Sequence, residues 1–268
     1  MTVSTFKPAP PANPRGNGPG VLHAIGLVLL YFLLQVGAGV LMGLVVGALE
    51  KIRHPQLSLA DLHQHVMGVL RQTDSSAMLM VVALPLIALL LFWLVRRQWP
   101  QLWLQAEPPG FGFNAPRSSR WYAAALLVGV VMPPFGALLT QWLARGHDVT
   151  QNVQELTQHA SSYLRLPLAI VAVTIGPMVE ELMFRGVLLS ALMRRMSTAQ
   201  SVAICAVMFG LVHLAGLDFQ WYALPNLMLF AAALCWLRLR SGSLWPPIMA
   251  HGLYNLFALV ALLAEARG

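Results

Sequence analysis

LPLAIVAVTIGPMVEELMFRGVLLSALM, Leu166 to Met193, carries three charged side chains in an otherwise uncharged and mostly apolar run. A helix crosses the hydrocarbon core of a bilayer with about 20 apolar residues, so this stretch reads as a transmembrane helix. An ionisable group near the centre of such a helix costs about 3 kcal/mol on insertion scales. Glu180, Glu181 and Arg185 therefore need something that offsets that cost. Glu181 and Arg185 are four apart, share a helical face and can pair. Glu180 points about 100° away and has no local partner. It is the candidate for chemistry, as a general base or a proton carrier.

The rest of the chain has the same character. Of 268 residues, 57% are hydrophobic and 10% are charged, against about 25% charge in soluble domains. Six further apolar runs precede or follow the first: about Leu22 to Ala48, Ser76 to Val95, Trp121 to Ala144, Ala199 to Leu217, Tyr222 to Leu237 and Leu244 to Leu263. The expected fold is all-α, a polytopic transmembrane bundle of about seven spans, with six to eight possible. Pro133 and Pro134 are expected to kink or break the third span. Gly39, Gly43 and Gly47 recur four apart as a small-residue stripe on the first. Met1 to Gly20, with five prolines and three glycines, reads as a flexible polar tail. One helical membrane domain is expected over residues 21–264.

The net charge is +7, and the basic residues cluster between apolar runs rather than along a face. Arg96 with Arg97, Arg117 with Arg120, Arg194 with Arg195, and Arg238 with Arg240 fall on one side in a seven-span arrangement. Positive residues favour the cytoplasm, which places the amino terminus inside, in a bacterial inner membrane or its equivalent. The expected partners are the lipid bilayer and a protein or peptide substrate in or at it, not nucleic acid. The basic, aromatic-rich connection from Arg96 to Trp121 is a candidate contact for lipid headgroups or a substrate tail. His54, His63 and His65 lie in a polar loop without tight ligand spacing.

Two later spans carry polar groups. Phe209 and His213 share a face, so the ring can pack beside the imidazole. His251 and Asn255 are also four apart and can present two donors toward one point, as an oxyanion requires. Each alone has a bland reading, a helix-to-helix hydrogen bond. Together, three largely apolar spans each contribute one polar cluster.

The ordered set Glu180-Glu181-x-x-x-Arg185, Phe209-x-x-x-His213, His251-x-x-x-Asn255 resembles the CPBP intramembrane proteases, also called the CAAX-protease and bacteriocin-processing (Abi) family. The resemblance covers about Leu166 to Leu263 and attaches nothing to the first 150 residues. It implies peptide-bond hydrolysis inside the membrane. It assigns water activation to Glu180 with His213 and oxyanion stabilisation to His251 and Asn255. Support of the site falls to Glu181 and Arg185, and Phe209 stands beside His213. No cofactor is expected. Zinc is the alternative, held by Glu180, His213 and His251, although no His-Glu-x-x-His run is present. The rival readings are a noncatalytic scaffold or immunity protein that keeps the fold, and a proton-coupled transporter. Two related halves, common in carriers, are not evident.

Overall fold

A computed structural model describes residues 18–147, 156 and 159–265. Most of the polar tail lies outside the described residues, as does part of the connection after residue 147. All seven apolar runs are helical, and among the described residues there is no strand. The helices are α1 (Val21–Arg53), α2 (Leu59–Leu70), α3 (Thr73–Gln98), α4 (Arg120–Ala144), α5 (Ser162–Met193), α6 (Thr198–Val212), α7 (Leu224–Ser241) and α8 (Trp245–Glu265).

Among the described residues, five of these are long and apolar enough to cross a membrane: α1, α3, α4, α5, and α7 with the turn before it. In α5, 50% of the most apolar window is buried, against 11% in α1. That contrast makes α5 the centre of the bundle and α1 a lipid-facing wall. On α1, large apolar side chains such as Leu33 and Leu44 point outward, as a helix solvated by hydrocarbon allows. α5 is packed against α1, α3, α6, α7 and α8.

Three expectations change. The loop from Glu50 to Ser75 contains an amphipathic helix, α2, which Ser58 caps by accepting from the Asp61 amide. Its Val66 and Leu70 lie over Gly47 and Gly43, so the glycine stripe of α1 seats α2, with Gly39 against Leu79 of α3. Second, α4 runs unbroken through Pro133 and Pro134. Membrane helices tolerate proline where neighbouring helices hold the chain, and α4 packs closely on α8 and α7. Third, the expected fifth span ends early. α6 stops at Val212 after 15 residues, and the chain turns through a short 3-10 segment, Leu214–Leu217. At about 1.5 Å per residue, α6 alone falls short of a core about 30 Å thick.

The arginine pairs do gather at one end. Arg194 donates to the carbonyls of Gly18 and Pro19 before α1, and Arg117 to Arg240 O after 3.3 Å. The opposite end is tied by Asp74 of α3, which accepts from Ser161 before α5. The connection between α3 and α4 turns its aromatic side chains inward, while Arg96, Arg97, Arg117 and Arg120 stay exposed. Phe111 is fully buried, and Trp103 stacks on Phe113 with ring centroids 4.2 Å apart. Arg238 of α7 is buried beneath it and donates to Ala106 O and Gly110 O at 2.6 and 2.7 Å. Gly112 sits at φ +81, and a Cβ there would lie 2.6 Å from the Arg238 guanidinium carbon. Glycine alone fits that backbone and that contact.

Candidate active site

The α5 helix is not uniform. Gly176–Glu181 is a short α-helical stretch between two π-helical ones, Val171–Ile175 and Leu182–Leu188. Such wide turns recur at functional positions because they re-aim side chains and loosen the hydrogen-bond ladder. Here they flank the paired carboxylates. Glu181 turns into the bundle and is fully buried, while the Glu180 side chain keeps 20% of its surface.

Glu181 is the anchor. One of its oxygens, Oε1, accepts from Arg185 Nη1 at 2.8 Å and from His251 Nδ1 at 2.8 Å. The expected pair with Arg185 is formed, and a third member from α8 joins it. Arg185 is also fully buried, donates to Ala231 O of α7 at 3.1 Å, and lies 4.5 Å from the centre of the Phe209 ring. A guanidinium over a ring face is attracted by its quadrupole. Phe209 packs beside His213 as expected, with centroids 4.5 Å apart. It therefore contacts both the support pair and the imidazole.

Glu180 is the point of convergence. Its Oε2 lies 3.6 Å from His213 Nε2 and 3.8 Å from His251 Nε2. Three helices thus bring Glu180, His213 and His251 together. His213 lies just past the end of α6, and its Nδ1 is 2.7 Å from Phe209 O. A carbonyl only accepts, so Nδ1 carries the hydrogen, and Nε2 of the neutral ring is an acceptor. Asn255 comes near but is differently engaged. Its Nδ2 donates to Ala172 O at 2.8 Å, in the first π-helical stretch. One hydrogen of its amide is spent there, and the side chain still lines the cavity beside Glu180.

Two cavities meet at this point, one of about 350 Å³ and one of about 260 Å³. Four side chains line both: Tyr31, Gln35, Glu180 and His213. Tyr31 and Gln35 belong to α1 and were missed in the sequence, where a tyrosine and a glutamine in an apolar run carry no motif. Their i, i+4 spacing was visible, but nothing local says which neighbour they face. Among the described residues no group of three His, Cys, Asp or Glu side chains has an arrangement suited to a metal ion. His251 Nδ1 is occupied by Glu181, and both imidazole Nε2 atoms stand beyond 3.5 Å from the Glu180 oxygen.

The seating of α8 depends on Gly252, next to His251. A Cβ there would come within 2.5 Å of Val173 O on the α5 backbone. Gly252→Ala is expected to push α8 outward and carry His251 away from Glu181. The expected result is a loss of thermal stability by about 1–3 kcal/mol, with loss of activity. Unfolding of the purified protein at the wild-type temperature would contradict the close approach.

Three comparisons bear on this geometry. The model of the family described as type II CAAX prenyl endopeptidase Rce1-like matches residues 162–257, which contain every motif residue above. The chain is similar to a Bacillus subtilis (strain 168) protein named "Putative membrane peptidase YdiL", at 30% identity over 126 residues. That match covers 47% of this chain and 47% of the relative, so the chain spans about half the length of the curated relative it matches. No solved structure matches the chain.

Proposed function

We propose, from the match of residues 162–257 to the Rce1-like family model, that the chain is an intramembrane endopeptidase. The observation that carries the reading is the meeting of Glu180 with His213 and His251, where Glu180 and His213 line two cavities. Glu180 Oε2 and His213 Nε2 are both acceptors, and 3.6 Å is too far for a direct hydrogen bond. That separation suits a water that donates one hydrogen to each.

In the proposed reaction Glu180, aided by His213, removes a proton from this water as its oxygen attacks the peptide carbonyl carbon. The C–O bond forms, the carbonyl π pair moves to oxygen, and the resulting oxyanion is held by donors around the site. The C–N bond then breaks, and the proton passes from Glu180 to the leaving amine. His251 and Asn255 serve the oxyanion. His251 does so only when doubly protonated, because its Nδ1 hydrogen already points to Glu181. Glu181 and Arg185 orient His251 and act through it. No metal enters this scheme.

The proposed substrate is a membrane-associated or lipid-modified protein or peptide. Leu79, Met80, Ala83 and Leu84 give the larger cavity an apolar wall that accepts such a segment. The arginine-rich end is assigned to the cytoplasm, with the amino terminus there. The membrane is assigned as the bacterial inner membrane or its equivalent.

The test compares new protein termini in the membrane proteome of wild-type cells and of cells with Glu180→Gln at matched protein levels. Specific termini are expected to vanish in the variant. An unchanged set of termini across several growth conditions would remove the hydrolase reading and leave a scaffold.

A further inference from the structure

The two assigned oxyanion donors are both partly committed. His251 Nδ1 is bound to Glu181, and its Nε2 faces Glu180. Asn255 spends one amide hydrogen on Ala172 O. A tetrahedral intermediate beside Glu180 and His213 therefore calls for a donor on the open side of the site. Three buried side-chain N–H donors among the described residues lack an acceptor: Gln35 Nε2, Arg185 Nε and Arg238 Nε. Only Gln35 lines the cavities, and it lines both, together with Glu180 and His213.

A buried amide hydrogen without a partner costs about 1–3 kcal/mol, and most such groups in folded proteins find one. Where one persists at the mouth of a reactive pair, a substrate atom is the natural acceptor. We propose that Gln35 is a catalytic residue: its Nε2 donates to the carbonyl oxygen of the scissile peptide and holds the oxyanion as it forms. This rests on the hydrolase reading above and adds α1 to a site that the three motifs place on α5, α6 and α8. Tyr31, one turn earlier on the same face, closes the site beside it. A peptide lying between α1 and α5 would present its carbonyl to Gln35 and its carbon to the water at Glu180. The two cavities would then take the chain on either side of the cleaved bond.

The experiment uses the full chain in cells and then purified. Cells carrying wild type, Glu180→Gln, Gln35→Met or Gln35→Glu are compared at matched levels for the termini that depend on Glu180. A peptide spanning the strongest of those sites is the probe for the purified proteins. Gln35→Met keeps the length of the side chain and removes the donor. It is expected to lower kcat about 100-fold, the size seen for loss of one oxyanion donor, with KM changed less than about threefold. Gln35→Glu removes both amide hydrogens, places a second carboxyl in the cavity with Glu180, and is expected to lose as much. A Gln35→Met melting temperature near wild type separates this from misfolding, since no hydrogen bond of ordinary geometry to Gln35 Nε2 is lost and only its interaction with Tyr31 changes. If Gln35→Met fails to accumulate, Gln35→Glu decides. Wild-type kcat in either accumulating variant, or a loss confined to KM, overturns the assignment. If Glu180→Gln itself changes no terminus, the hydrolase reading fails and this inference falls with it. If only Gln35 proves silent, the hydrolase reading stands without it.

Discussion

Glu180→Gln is expected to lower the rate of peptide hydrolysis about 10³- to 10⁴-fold while leaving the amount and thermal stability of the protein unchanged. The substitution keeps nearly the same shape and removes the base. A positioned general base contributes about 10²- to 10⁴-fold. The upper range applies because Glu180 is the one carboxylate that faces both imidazole Nε2 atoms. The amide would also turn an N–H toward His213 Nε2, in the place the mechanism proposes for the attacking water. Stability should not suffer, because Glu180 Oε2 accepts no hydrogen bond within ordinary distance. The measurement is kcat of the purified protein on a peptide spanning a Glu180-dependent cleavage site. Glu180→Asp, which withdraws the carboxylate by about 1.5 Å, should lose less than Gln because a base remains. A Gln variant within about threefold of wild type would mean that the water is activated elsewhere.

Arg185→Met should have the largest effect on stability. Arg185 and Glu181 are both fully buried and paired at 2.8 Å. Removing the cation leaves a carboxylate whose other partner is His251 alone, and breaking such a pair costs about 3–5 kcal/mol. The guanidinium also ties α5 to Ala231 O of α7 and fills the space over Phe209. The protein is expected to accumulate poorly, or to melt well below wild type in detergent. Adding Glu181→Gln should restore most of that loss, since the unpaired charge is gone. Activity should stay low in the double variant, because His251 then meets a neutral amide in place of the carboxylate. A single Arg185→Met variant with wild-type melting would show that the pair is not what offsets the buried charge.

The parts of the site that could be read in the sequence are those fixed by helical periodicity. Glu181 pairs with Arg185, and Phe209 lies beside His213, because residues four apart on a helix are neighbours whatever surrounds them. The membrane character followed from the length and lack of charge of the apolar runs. Their helicity followed too, since a backbone in hydrocarbon must satisfy its own hydrogen bonds. The common end of the arginine pairs was also legible, from the parity of the spans.

What the sequence could not carry depended on which helix faces which. α2 was hidden because a short amphipathic helix between two apolar runs looks like a polar loop. The end of α6 at Val212 was hidden because the apolar run continues to Leu217 while the chain turns. The unbroken course of α4 through its two prolines was a matter of neighbours rather than propensity.

Periodicity determined the three motif pairs and the all-helical, membrane-spanning character of the chain, because those depend on contacts within one helix and on hydropathy. Only the tertiary structure decided that His251 bonds to Glu181, that Asn255 is drawn to Ala172 O, and that Tyr31 and Gln35 of α1 close the site. These are packing choices between distant segments, set by π-helical turns in α5 and by Gly252 against its backbone, and no local spacing encodes them.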